Sequence, residues 1–66
     1  MEPAKGEDLL YADEVAAILR RTPAAFRYMV HAGTAPKSAK IAGRRVWKRS
    51  TVEEYIAAAF DAEEVA

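Results

Sequence analysis

At 66 residues the chain has room for one domain with a small core, because a domain this short buries only about 60% of the surface its unfolded form exposes. It contains no cysteine, which excludes disulfide staples and zinc sites built on thiolates and suits a reducing, cytoplasmic setting. Its formal net charge of +0 conceals three blocks of opposite sign. Residues 1–19 carry Glu2, Glu7, Asp8, Asp13 and Glu14 against Lys5 alone. Residues 20–49 carry Arg20, Arg21, Arg27, Lys37, Lys40, Arg44, Arg45, Lys48 and Arg49 with no acid, a balance of +9. Residues 50–66 carry Glu53, Glu54, Asp61, Glu63 and Glu64 with no base.

Residues 1–8 hold Pro3 and Gly6 without apolar periodicity and are expected to form a flexible acidic arm. They lack the apolar core of a secretory signal, and no apolar run approaches the roughly 20 residues that span a bilayer, so no membrane partner is expected. Leu9 and Leu10 then lead into Ala12, Val15, Ala16, Ile18 and Leu19, whose spacing predicts a short helix over 12–19 or 12–20. Thr22-Pro23 signals a second helix start, with Thr as N-cap and proline in the first helical position. Phe26, Met29 and Val30 form its apolar stripe, and Gly33 is a left-handed cap that ends it. The connection between the two helices is short enough to be a tight turn.

Pro36 blocks further helix. Ala39 and Ile41 alternate with Lys40, and Val46 and Trp47 precede Lys48, so two short strands are expected around a turn at Ala42-Gly43-Arg44. Trp47 is assigned to the core. Ser50 and Glu53 make a capping box for a third helix, whose stripe is Val52, Tyr55, Ile56, Ala59 and Phe60. Residues 61–66 form an acidic, frayed tail. The expected fold is therefore mainly α with a small β-hairpin, in the order helix, turn, helix, hairpin, helix: a winged helix-turn-helix over residues 9–60.

The middle block points to a partner. Nine cations in thirty residues repel one another unless something anionic offsets them, and phosphate is the commonest such group. Double-stranded DNA is the partner expected. On the second helix Ala24, Ala25, Arg27, Tyr28 and His31 face away from the apolar stripe, and small residues near its start would allow close approach to a major groove. Arg20, Arg21 and Thr22 stand beside that helix, and Arg44 and Arg45 are expected at the wing tip, where guanidinium groups can enter a narrow minor groove. Lys37, Lys40, Lys48 and Arg49 are expected to touch phosphate without reading sequence. No glycine-rich phosphate loop, paired catalytic carboxylates or nucleophile with a base is present, so no enzyme activity, cofactor or metal is expected.

Leu9-Leu10-x-x-Asp13-Glu14-Val15-Ala16-x-Ile18-Leu19, Thr22-Pro23-x-x-Phe26-x-x-Met29-Val30-x-x-Gly33-x-x-Pro36, Ile41-x-Gly43-Arg44 and Val52-Glu53-x-Tyr55-Ile56 together resemble the MerR-type winged-helix module, on which small phage and plasmid excisionases are built. The resemblance spans Leu9 to about Phe60. It departs at Arg20, where the module usually has glycine, at Arg21, where it has an apolar residue, and at Tyr11, where it has Ser or Thr. As a member of that group the chain would act in the cytoplasm of a bacterial host as a recombination directionality factor. It would bind and bend attachment-site DNA, contact integrase and neighbouring copies of itself, and favour excision. The same module also serves small phage or bacterial transcriptional regulators, and a protein-interaction adaptor with a basic face is a reading of a different class.

Overall fold

In the computed structural model, which describes residues 8–64, the chain forms β1 (Leu9–Leu10), α1 (Ala12–Ile18), α2 (Pro23–Ala32), β2 (Ala39–Ile41), β3 (Arg44–Lys48) and α3 (Arg49–Glu64). This is a small, mainly helical domain with a three-stranded antiparallel sheet in the order β1-β3-β2, compatible with a winged helix. Among the described residues no helix is long and apolar enough to cross a membrane. Residues 1–7 of the expected arm, and 65 and 66 of the expected tail, lie outside the described residues.

Both early helices end in the same way. After α2, Gly33 adopts φ 81°, its N–H donates to the Val30 carbonyl, and the Thr34 N–H donates to Met29. After α1, Arg20 adopts φ 62°, its N–H donates to Ala17, and the Arg21 N–H donates to Ala16. Each pair of bonds is a Schellman closure, which requires a left-handed residue and usually recruits glycine. Arg20 fills that position in α1 with a side chain that makes the conformation costly. At the start of α1, Glu14 reaches back to accept the Tyr11 N–H at 2.7 Å, and at the start of α2 the Thr22 Oγ1 accepts the Ala25 N–H at 3.1 Å.

The core consists of Leu10, Val15, Ala16, Phe26, Trp47 and Val52. Phe26 and Trp47 are fully buried, with ring centroids 5.2 Å apart and planes tilted by 58°, a geometry that aligns ring edges with faces. The Trp47 indole N–H donates to the Pro36 carbonyl at 3.0 Å, so its one polar atom is satisfied. Tyr55 donates its hydroxyl to the Thr34 carbonyl at 2.7 Å, which ties α3 to the loop after α2. Met29, Val30 and Ile56 pack against this core while remaining partly exposed.

Five expectations need correction. Leu9 and Leu10 are a strand rather than a lead-in, paired with Lys48 and Trp47, so the hairpin belongs to a three-stranded sheet. The turn is the two residues Ala42 and Gly43, at φ 53° and 80°, and Arg44 already lies in β3 opposite Ile41. Positive φ at both central positions gives a two-residue turn the twist that antiparallel strands need. α3 begins at Arg49, so Ser50 sits in its first turn and is not the N-cap. Ala59 and Phe60 are not core: Phe60 is 67% exposed, and α3 continues through the expected tail as far as Glu64. The arm boundary shifts as well, because Asp8 accepts the Arg49 N–H through its carbonyl at 2.9 Å and pairs with the Arg49 side chain at 3.2 Å.

Candidate nucleic-acid interface

Ala24, Arg27, Tyr28 and His31 recur at i, i+3, i+4 and i+7, which places them on one face of α2. Phe26 fixes the opposite face by its complete burial, and all four of these residues are exposed, Tyr28 by 73%. Ala25 is half-buried at the margin of this face and does not share it. Arg20, Arg21 and Thr22 precede the helix and are exposed. Thr22 uses its oxygen lone pair for the cap, which leaves the hydroxyl proton free to donate. No acid stands in the first turn of α2, so two guanidinium groups adjoin the positive end of a helix dipole with no local carboxylate between them.

The hairpin residues divide by strand alternation. Trp47 meets Phe26 of α2, so the face of β3 that bears Trp47 and Arg45 looks toward α2. Lys40 is the register partner of Arg45, and the two form a basic cross-strand pair on that face beyond the buried core. Arg45 donates Nη1 to Ser38 Oγ at 2.8 Å, which holds it beside the loop after α2. Arg44, Val46 and Lys48 occupy the reverse face. There the Arg44 guanidinium carbon lies 3.7 Å from the centre of the Tyr11 ring. Arg44 and Arg45, expected together at a wing tip, therefore point to opposite faces of the hairpin.

Of the nine cations between residues 20 and 49, only Arg49 has a carboxylate partner among the described residues. Arg49 is thus engaged by Asp8, and the other eight have no ion pair there. Arg20 and Arg21 precede α2 and Arg27 lies on it, Arg45 and Lys37 border Val30 and Gly33 at its C-terminal end with Lys40 beside Arg45, and Arg44 and Lys48 lie on the reverse face of the sheet with Leu9 and Val46. Two positions that hold the arginines of the hairpin were not read as such from the sequence, which marked Tyr11 only as a departure at the first helix cap and did not mark Ser38. Ser38 anchors Arg45, and Tyr11 holds Arg44; a serine in a loop and a tyrosine before a helix carry no signal of such roles. Among the described residues no group of three His, Cys, Asp or Glu side chains is placed to hold a metal ion.

A scan against protein-family models finds no match for this chain, and comparison with curated proteins and with solved structures finds none either.

Proposed function

We propose that this chain is a winged helix-turn-helix protein that binds duplex DNA in sequence-dependent fashion and deforms it. The feature that supports this reading is the exposed face of α2 with cations at both of its ends: Arg20 and Arg21 precede it, Arg27 lies on it, Arg45 borders Val30 and Gly33 at its far end, and no carboxylate pairs with any of them among the described residues. Exposed like charges gathered in this way oppose folding slightly, and phosphate offsets the repulsion while releasing counterions.

In this reading α2 enters the major groove from its N-terminal end. Ala24 allows close approach and can touch a thymine methyl, Arg27 can donate two parallel bonds to guanine, and Tyr28 and His31 reach flanking bases or phosphates. Arg20, Arg21 and the Thr22 hydroxyl contact the backbone strand over the helix start, where the helix dipole adds to the attraction. Arg45 and Lys40 follow the adjoining backbone into the minor groove. Deformation of the duplex would cost on the order of 1–6 kcal/mol, which these contacts offset. No step of this mechanism requires catalysis or a cofactor. Within this class the resemblance to excisionases supports an architectural role in site-specific recombination, with integrase and further copies of the chain as partners.

The test is selection of bound duplexes from a random pool, followed by gel-mobility bend analysis of the selected site. An enriched motif that is bent by the parent protein, and whose preference is relaxed at a cost of about 1–3 kcal/mol by Arg27→Ala, is the expected result. Absence of both enrichment and bending, with the protein shown folded by circular dichroism, would overturn the reading.

A further inference from the structure

Ser38 stands in the stretch 36–38, which belongs to neither helix nor strand, and it is half-buried where the loop after α2 meets β3. Its hydroxyl oxygen accepts the Arg45 Nη1 at 2.8 Å, which leaves the hydroxyl proton free. Lys37 precedes it, and Lys40, the register partner of Arg45, follows two residues on. Ser38 also lines an open hollow of about 420 Å³ bounded by Val30, Gly33, Ala35, Pro36, Lys37 and Arg45. Among the described residues no carboxylate lines this hollow, and none pairs with Lys37, Lys40 or Arg45.

The other hydroxyls are placed differently. Thr22 caps α2, Thr34 donates to the Met29 carbonyl at 3.4 Å, and Ser50 and Thr51 lie in the first turn of α3. Among the described residues Ser38 is the one serine or threonine whose side chain is bonded to a cation. A phosphoryl group on this oxygen brings about −1.5 to −2 charges at neutral pH, and three acceptor oxygens, to cations already in place. Arg45 can hold two of those oxygens with parallel N–H groups. The C-terminal end of α2 opposes an anion there with about half a negative charge, which the full charges of Lys37, Lys40 and Arg45 outweigh.

We propose that Ser38 is a phosphorylation site and that its phosphoryl group captures Arg45 and turns the hairpin away from duplex binding. In the modifying step the Ser38 oxygen bonds to the γ-phosphorus of a nucleoside triphosphate held by a protein kinase. The bond from that phosphorus to its bridging oxygen breaks, nucleoside diphosphate leaves, and the hydroxyl proton passes to a base of the kinase. Phosphoserine then competes with DNA phosphate for the same guanidinium group. The charge summed over Lys37, Lys40 and Arg45 falls from three to about one. Loss of duplex binding rests on the function proposed above, in which Arg45 and Lys40 meet DNA; modification of Ser38 and capture of Arg45 do not.

Three readouts on the full chain test it. The chain is incubated with ATP and a serine/threonine protein kinase that favours basic neighbours, and mass spectrometry locates the modified residue. Ser38 is expected to take one phosphoryl group, and Ser38→Ala is expected to lose it; no transfer, or transfer to other hydroxyls alone, would overturn the site. The phosphorylated chain is next titrated by phosphorus NMR without DNA. Pairing with Arg45 is expected to lower the second ionisation of the phosphoryl group below its ordinary value of about 6, and Arg45→Ala to return it toward that value. A midpoint that Arg45→Ala does not move would overturn the capture. Fluorescence anisotropy on a short duplex is expected to show binding about 10-fold weaker or more after phosphorylation, with a salt slope shallower by about 1–2. Equal affinity before and after modification would overturn the control of binding. Failure of the unmodified chain to bind duplex would instead overturn the DNA reading and that control with it, while the two readouts without DNA still decide the site and the capture.

Discussion

Arg44 and Arg45 are neighbours in sequence but leave β3 on opposite faces, one stacked at 3.7 Å over the Tyr11 ring and the other donating to Ser38 at 2.8 Å. A strand's two-residue period forces this divergence, and it separates two cations that the sequence alone places together. It also sorts the remaining basic residues of the hairpin, Lys40 with Arg45 on the face that bears Trp47 and Lys48 with Arg44 on the other.

The two arginines are therefore expected to behave differently. Arg45→Ala should weaken duplex binding by about 1–3 kcal/mol, whereas Arg44→Ala should leave binding within about 0.5 kcal/mol of the parent and lower stability by about 0.5–1 kcal/mol through loss of the tyrosine contact. Fluorescence anisotropy on a short duplex and urea unfolding measure the two effects. Equal losses of affinity would mean that Arg44 leaves Tyr11 and that both side chains act at a common tip.

Arg20 carries backbone strain that glycine would not. Left-handed geometry costs a residue with a Cβ roughly 1–2 kcal/mol, and glycine gives back about 0.5–1 kcal/mol through the greater freedom of its unfolded chain. Arg20→Gly should accordingly stabilise the domain by up to about 1 kcal/mol and raise its melting temperature by several degrees, about 4–8 °C per kcal/mol at this size. The same change removes a cation beside α2 and should weaken duplex binding. A variant that melts earlier than the parent would show that the Arg20 side chain makes stabilising contacts that outweigh the strain.

Trp47 joins the sheet to α2 through Phe26 and to the loop through the Pro36 carbonyl. Trp47→Phe keeps an aromatic ring but leaves that carbonyl without its donor, which should cost about 1–3 kcal/mol in urea unfolding. Trp47→Ala should cost about 3–5 kcal/mol, enough to unfold a domain with so small a core. Were Trp47→Phe as stable as the parent, water would be serving the Pro36 carbonyl and the indole bond would contribute little.

The start and end of α2 were legible because they rest on local chemistry: Thr22-Pro23 before it and Gly33 after it carry their own geometry, whereas α3 begins before Ser50 and runs past the expected end to Glu64. Trp47 was placed in the core because it is the one tryptophan of a chain with so small a core, and the exposed face of α2 followed from the spacing of Phe26, Met29 and Val30. β1 did not, since two leucines have no period and become a strand only by pairing with Trp47 and Lys48 far along the chain. Phe60 fits the apolar stripe of α3 correctly, yet a stripe reports only which side of a helix could be buried. Whether something lies there depends on how far the rest of the domain extends, and here it stops near Ile56. The placement of Lys48 away from α2 was hidden until the sheet had an inside, which Trp47 supplies by meeting Phe26.

The salt dependence of duplex binding tests the central claim most directly, because it counts phosphate contacts without requiring a known site. If Arg20, Arg21, Lys40 and Arg45 meet phosphate, log K against log salt should fall with a slope of roughly −3 to −4 on a random-sequence duplex. Binding whose affinity hardly changes between about 50 and 200 mM salt, with a slope near zero, would contradict the assignment of this face to DNA.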